Sequence, residues 1–309
     1  MRKGIILAGG TGKRLSPLTG CISKQLLPVY NKPLIYYPLT TLMLIGIKNI
    51  LIIINPGEEK LFKKLLGDGK NFGINLNYKI QKKPEGIAQA FLLAEDFLEG
   101  NECVLVLGDN IFYGDNLIKI LQNACNSENS ATIFGYKVKD PERYGVIEFD
   151  EKNKVKSIIE KPSNPKSRYA VTGIYFYDKN VVNYAKKISK SERGELEITD
   201  LNNIYIKKGK LKVEIFSRGS AWFDTGTHDS LLEASNFIYT LEKRQSLKIG
   251  SPEEVAWRNK WIDNNQLLNL SISSNKNEYG HYLEDLVNDH IDLCKKELKF
   301  NKMKIQNLN

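Results

Sequence analysis

Lys3 to Pro28 reads KGIILAGGTGKRLSPLTGCISKQLLP. It opens on a short apolar run, Gly4-Ile5-Ile6-Leu7-Ala8, whose β-branched content predicts a buried strand. The run breaks into Gly9-Gly10-Thr11-Gly12-Lys13-Arg14. Without a Cβ, glycines let backbone N–H groups converge on one point. Lys13, Arg14 and, further on, Lys24 add fixed positive charge. A strand that ends in a glycine turn flanked by cations predicts a polyphosphate cradle. It is not a P-loop, which needs Gly-x-x-x-x-Gly-Lys-Ser/Thr, because Leu7 stands in the first glycine's place and Arg14 in that of the hydroxyl. Nor is it a dinucleotide fingerprint: Gly10 and Gly12 fit Gly-x-Gly-x-x-Gly, but the third place holds Leu15.

Around this stretch the composition is that of an ordinary globular chain. The 309 residues are 41% hydrophobic and 26% charged, enough for one large α/β core or a core with a smaller appendage. No apolar run approaches the roughly 18 residues of a membrane span, and Met1-Arg2-Lys3 leads straight into a strand instead of a signal peptide. Cys21, Cys103, Cys125 and Cys294 show no CxxC spacing and are expected as free thiols in a reducing cytoplasm. The net charge is +9, but its lysines are scattered in short clusters such as Lys186-Lys187, Lys207-Lys208 and Lys295-Lys296. No aromatic residues interleave them, so neither a nucleic acid nor a membrane is expected as a partner.

From Lys3 to about Tyr136 apolar runs alternate with amphipathic stretches. Strands are expected at Gly4–Ala8, Asn49–Ile54, Leu76–Ile80, Cys103–Leu107 and Ala131–Tyr136. Helices are expected at about Leu34–Ile45, Glu58–Leu66, Ile87–Phe97 and Leu117–Ala124. This alternation predicts an α/β fold with a doubly wound, mixed but mostly parallel sheet, which binds ligands at the carboxyl ends of its strands. One such end is Leu107-Gly108-Asp109-Asn110, where an acid at a strand tip suits Mg²⁺ beside a triphosphate. As a bare residue, Asp109 equally fits a turn or an N-cap. Another end carries Gln81, Pro84 and Gly86: Gln81 offers an amide edge that can read a base, and Gly86 marks a close backbone approach.

After about Lys137 the pattern changes to a β-rich insertion. Tyr144–Phe149 and Val155–Glu160 alternate apolar and polar about a turn containing Asn153, which predicts a hairpin delivering Glu160-Lys161 at its end. Ala170–Tyr177 is a further strand, with Gly173 expected where a sugar ring lies against backbone. Glu195–Asp200 starts a helix. Asp224 follows a strand and leads through Thr225-Gly226-Thr227 into a helix at Ser230–Lys243. Asp224 or Asp229 can each be a turn residue. Beyond Gln245 the chain reads as helical: Ser251-Pro252-Glu253-Glu254 is a helix start. The expected organisation is residues 1–245 as one domain (a nucleotide half, 1–136, and a sugar-binding half, 137–245), a helical region at 246–290, and a basic tail at 291–309.

LAGGTGKRLSPLT followed by SKQLLPVYNKPLIYYPL resembles the signature of the sugar nucleotidyltransferases, in particular their short bacterial thymidylyltransferase form. The usual pattern is Gly-Gly-Ser-Gly-Thr-Arg-Leu; here Thr11 replaces the serine and Lys13 the threonine. Lys24-Gln25 departs from the Lys-Glu usual in the bacterial UTP enzymes. The resemblance covers about residues 2–290. It implies a Rossmann-like nucleotidyltransferase fold and the reaction of dTTP with α-D-glucose 1-phosphate to give dTDP-glucose and pyrophosphate. By its motifs, Leu7, Ala8, Gly9, Gly10, Thr11, Gly12, Lys13, Gln25, Gln81, Pro84, Gly86 and Asp109 bind the nucleotide. Asn110, Tyr144, Gly145, Glu160, Lys161, Val171, Thr172, Gly173 and Trp222 form the sugar-phosphate subsite. Asp109 and Asp224 hold Mg²⁺, and Arg14, Lys24, Lys161 and Asp109 are catalytic. A regulatory second site uses Tyr113, Gly114, Arg218, Gly219, Glu254, Val255 and Arg258. The resemblance further implies a homotetramer, feedback by dTDP-rhamnose, and a place at the start of dTDP-rhamnose supply for surface polysaccharide. A uridylyl- or cytidylyltransferase of the same fold is the alternative enzyme. A catalytically dead sensor would predict loss of Asp109, Arg14 or Asp224, and all three are present.

Overall fold

The run after Lys3 forms β1 (Lys3–Leu7), in which Ile5 and Ile6 are fully buried on opposite faces. The structure is a computed structural model that describes residues 2–127, 130–152, 154–273 and 277–291. The turn residue Asn153, Cys294 and the tail from residue 292 onward lie outside the described residues.

A short hairpin, β2 (Pro28–Val29) and β3 (Lys32–Pro33), follows β1. The remaining strands are β4 (Asn49–Ile54), β5 (Asn75–Ile80), β6 (Cys103–Leu107), β7 (Asn110–Tyr113), β8 (Ala131–Lys137), β9 (Gly145–Phe149), β10 (Val155–Glu160), β11 (Tyr169–Tyr177), β12 (Leu211–Ile215) and β13 (Ala221–Asp224). Eight of them join β1 in one nine-stranded sheet. Its parallel part runs β5-β4-β1-β6, with Gly4 opposite Ile50 and Val104. NILIII and CVLVL are near-continuous apolar runs because both faces of these strands are covered. On one face Ile6, Ile52 and Val106 pack against the helix Tyr36–Leu44 and the C-terminal region, through Leu39, Ala256 and Leu267. On the other, Ile5, Ile53 and Leu105 pack against Phe91, Leu201 and Tyr205.

Helix expectations shift at several ends, the one at Leu34 starting at Tyr36 and the one at Glu195 at Ile198. Ile87–Phe97 is two short helices, Gln89–Leu93 and Glu95–Leu98, because Ala94 leaves helical geometry at φ −91°, ψ 0°. The helix expected at Ser230 starts at His228, since Thr227 is the cap and accepts from the Ser230 N–H at 3.2 Å.

β11 joins the two parts of the chain. Its Ile174–Tyr177 segment lies antiparallel to β6, while Ala170 faces β9 on one side and β8 on the other. The hairpin β9–β10 forms as expected, with Ile158 opposite Ile147. β7 and β13 make a separate antiparallel pair that places Asp224 opposite Asn110.

Packing of the helix His228–Gln245 against the β2–β3 hairpin is pinned by buried charge. Glu242 accepts from Lys32 at 2.6 Å and from Lys248 at 3.2 Å, and the Glu242 side chain is 1% exposed. Removing one partner of a buried pair leaves uncompensated charge. Glu242→Gln keeps the volume but takes its carboxylate partner from the buried Lys32, while Lys248 retains Glu278 at 2.6 Å; a loss of about 3 kcal/mol is expected, read as a fall of several degrees in the thermal midpoint. An unchanged midpoint would mean that solvent already serves these lysines.

Candidate active site

Because β1, β4 and β6 run parallel, their carboxyl ends deliver Ala8-Gly9-Gly10, Asn55 and Gly108-Asp109 to one edge. The chain winds from β1 outward to β4 and β5, then returns to β6 on the other side of β1, and a crevice opens where the order reverses. The glycine loop is clamped from the neighbouring strand: the Gly10 N–H donates to Asn55 Oδ1 at 3.0 Å, and Asn55 Nδ2 donates to the Gly10 carbonyl at 2.9 Å. Gly10 and Gly12 have φ of +104° and +59°, where a Cβ would be strained. Leu15, fully buried, anchors the turn that follows, and Lys13 and Arg14 stay exposed. β1 and β6 touch at their tips, since a Cβ on Gly108 would lie 2.9 Å from the Leu7 carbonyl.

Asp109 is held by several groups. Lys24 Nζ pairs with its Oδ2, and Asn110 Nδ2 donates to its Oδ1 at 2.8 Å. Its carbonyl accepts from Thr225 Oγ1 at 2.8 Å and the Thr225 N–H at 3.1 Å. Burial pushes the carboxyl up, but the Lys24 ammonium and the Asn110 amide outweigh it and hold it below the usual carboxylate range. Asp224 behaves oppositely: burial and then the Asp109 charge push it up, against the pull of Lys24, Arg14 and Arg143. Two neighbouring carboxylates, of which Lys24 pairs with Asp109 alone, fit a divalent cation, which takes one or two protein carboxylates and completes its shell with phosphate oxygens. Arg14 reaches the same place, because a Cβ on Gly226 would lie 2.7 Å from its Nη2.

A cleft of about 420 Å³ gathers Leu7, Gly9, Gly10, Arg14, Gln25 and Asp109 from the glycine-loop side. Facing them in the same cleft are Asn110, Tyr144, Gly145, Glu160, Lys161, Val171, Gly173, Trp222 and Asp224. Glu160 accepts from Thr199 Oγ1 at 2.6 Å, and Lys161 sits at φ +44° with its N–H on the Tyr144 carbonyl at 2.9 Å. An adjoining cleft of about 260 Å³ is lined by Gly10, Thr11, Gly12, Lys24, Gln81 and Pro84.

Some expected residues have little or no surface toward the clefts. Ala8 and Thr172 are fully buried, and Lys13 lines neither cleft. Gly86 is indeed a close approach, but to the chain itself: a Cβ there would meet the Leu196 carbonyl at 2.4 Å. Gly173 lines the main cleft, and the side that a Cβ would occupy is filled by the Asn110 amide, 2.3 Å away. Trp222 Nε1 donates to the same Asn110 Oδ1 at 2.6 Å. Of the second-site residues, Tyr113, Gly114, Glu254, Val255 and Arg258 line a separate cavity of about 340 Å³, whereas Arg218 and Gly219 sit on an exposed turn outside its lining.

The sequence reading missed Asn55, and it missed Arg143, Ile87, Tyr175, Glu195, Ile198 and Thr199 in the main cleft. Arg143 was within reach of it, standing directly before Tyr144-Gly145.

A glycine loop, a strand-tip acid and a facing acid at the switch point of a parallel sheet define a nucleotidyltransferase site, and the chain belongs to the nucleotidyl transferase family, whose pattern matches residues 3–240. Within it the chain falls among the glucose-1-phosphate thymidylyltransferases. It is 56% identical over 285 residues to the enzyme of that name from Xanthomonas campestris, spanning 92% of this chain and 97% of the relative. It is 53% identical over 281 residues to that from Neisseria meningitidis serogroup A, spanning 91% and 98%. A Bacillus anthracis structure described as a glucose-1-phosphate thymidylyltransferase in complex with a sucrose superposes with a TM-score of 0.73 at 42% identity, covering 82% of this chain and 99% of that one. A UDP-glucose pyrophosphorylase with UDP-glucose shares the fold, with a TM-score of 0.68 at 23% identity over 78% of this chain and 99% of that one. No helix among the described residues is long and apolar enough to cross a membrane.

Proposed function

We propose that the protein condenses dTTP with α-D-glucose 1-phosphate to give dTDP-glucose and pyrophosphate. The observation that carries this reading is the single cleft holding Gly9, Gly10 and Arg14 on one wall and Glu160, Lys161 and Trp222 on the other, with Asp109 and Asp224 between. One oxygen of the sugar phosphate attacks the α-phosphorus in line; the new P–O bond forms as the bond to the β-phosphate breaks, and pyrophosphate leaves. A phosphate monoester is already a nucleophile near neutral pH, so no general base is needed. The protein's task is alignment and neutralisation of two approaching anions. Gly9 to Gly12 and Arg14 receive the β- and γ-phosphates and the leaving pyrophosphate. Lys24 steadies the α-phosphate side, and Lys161 holds the sugar phosphate. When bound, Mg²⁺ on Asp109 and Asp224 supplies charge neutralisation at the α-phosphate.

The test is pyrophosphate release with α-D-glucose 1-phosphate and Mg²⁺, comparing dTTP, UTP, CTP, ATP and GTP, with and without EDTA. Fast release with dTTP, slower release with UTP and none in EDTA is expected. No release with any nucleotide would overturn the reading.

The cavity that holds Tyr113, Glu254 and Arg258 supports a second nucleotide-sugar site. It suits feedback by a later dTDP-sugar such as dTDP-rhamnose, in a homotetrameric cytoplasmic enzyme that supplies surface polysaccharide sugars.

A further inference from the structure

Gln81 is 1% exposed, and its Oε1 has no hydrogen-bond partner among the described residues. Such an atom is costly unless something else uses it. Which end of a glutamine amide is oxygen follows from its partners, and here the partners leave no freedom. Gln89 Oε1 accepts from the Glu85 backbone N–H at 3.1 Å, and Gln89 Nε2 donates to Glu85 Oε2 at 3.0 Å. A backbone N–H only donates and a carboxylate only accepts, so a flipped Gln89 would set donor against donor and acceptor against acceptor. Gln89 therefore presents an oxygen to Gln81, whose Nε2 donates to it at 2.7 Å. Gln81 must then turn its own oxygen the other way, toward Gly9, where a Cβ would lie 1.9 Å from it.

The relay stands on fixed ground. The Glu85 carbonyl accepts from the Leu196 N–H at 2.7 Å, and Lys190 pairs with the other Glu85 carboxylate oxygen. Gln81 lines the smaller cleft and Gly9 the larger, so the unpaired oxygen lies in the wall between them.

We propose that Gln89 is a positioning residue for base selection: by fixing the Gln81 amide it leaves a carbonyl acceptor, and never a donor, for the nucleobase. This rests on the reading that places Gln81 beside the base. Thymine and uracil carry an imide N3–H that fills such an acceptor. Cytosine has a bare acceptor nitrogen at the same ring position and is repelled. Freed from Gln89, the Gln81 amide can turn over and offer its NH₂ group to cytosine instead.

The experiment measures kcat/KM for dTTP and dCTP, with glucose 1-phosphate and Mg²⁺, in the wild type, Gln89→Met, Gln81→Leu and the double variant. Gln89→Met is expected to lower the dTTP-to-dCTP ratio by up to about tenfold, a hydrogen bond's worth, while KM for glucose 1-phosphate stays put. In the Gln81→Leu background, Gln89→Met is expected to change the ratio no further, because Gln89 acts only through Gln81. A normal ratio in Gln89→Met, beside a lowered one in Gln81→Leu, would overturn the positioning role alone. A normal ratio in Gln81→Leu would overturn the placement of Gln81 at the base, and the proposal with it. The paired exchange Gln89→Glu with Glu85→Gln keeps an oxygen toward Gln81 without setting two carboxylates against each other, and is expected to retain the ratio whether or not Gln89→Met folds; a lost ratio in the folded pair would overturn the proposal.

Discussion

Replacing Asp109 with asparagine is expected to cut turnover by about 10²-fold or more, the scale of losing one preorganised charged group at a reacting phosphate. The substitution preserves shape. The side-chain oxygen that accepts from Asn110 Nδ2 at 2.8 Å survives, so the Asn110–Trp222 arrangement stays in place. What changes is the other oxygen. It becomes an NH₂ group facing the Lys24 ammonium, donor against donor, and Lys24 is 9% exposed with its neutralising partner gone. Asp224 loses the like charge that helps push its carboxyl up, so one carboxylate remains where the proposed reading needs two. Some loss of stability is expected from the stranded lysine. Turnover is therefore to be normalised to protein shown folded by circular dichroism at the assay temperature. Near-normal turnover in that folded fraction would remove Asp109 from the metal and catalytic assignments. A loss confined to KM for dTTP would make it a binding group only.

That Asp109 was readable at all comes from its setting. VLVLGDN is a buried strand that stops at an acid, and strand tips in parallel sheets are where ligands lie. The glycine loop was readable for the same reason: a turn needing φ of +104° and +59° restricts the residue types, and the restriction is written locally. The fold's parallel part followed from alternation of runs that are each only five or six residues long. Long-range geometry was not readable. Asn110–Tyr113 pairs with Ala221–Asp224 across more than a hundred residues of chain, and nothing in either short segment names the other. Asn55 sits in Asn55-Pro56-Gly57, which reads as a turn and nothing more, yet its amide holds Gly10 from both sides. Arg218 and Gly219 matched a motif, but the turn carrying them leaves both outside the cavity they were expected to line. Gly86 and Gly173 were rightly singled out as places without room for a side chain. In both cases the protein itself fills the side that a Cβ would occupy, and Gly173 still lines the main cleft.

Gly173→Ala turns that last point into a second large effect. The backbone at Gly173 is not in the left-handed region, so alanine meets no torsional penalty and only the added methyl matters. That methyl would lie 2.3 Å from Asn110 Oδ1 and 2.5 Å from its Cγ. Asn110 has nowhere to go: it is 1% exposed, donates to Asp109 and accepts from Trp222. The displacement passes to the Asp109 carboxylate on one side and to the Trp222 indole on the other, the two groups that face the proposed α-phosphate and sugar. Overpacking of this kind costs about 1–3 kcal/mol of stability. A misplacement near 1 Å at reacting groups costs on the order of 10²-fold in rate, so kcat/KM for glucose 1-phosphate is expected to fall by that order. The double variant Asn110→Ala with Gly173→Ala separates the causes. With the amide gone the methyl has space, so Gly173→Ala should lower the thermal midpoint no further in the Asn110→Ala background, while activity stays low because Asp109 and Trp222 have lost their shared partner. Normal activity in the double variant would reduce Asn110 to filler. A full further loss of midpoint in that background would place the clash elsewhere on β11.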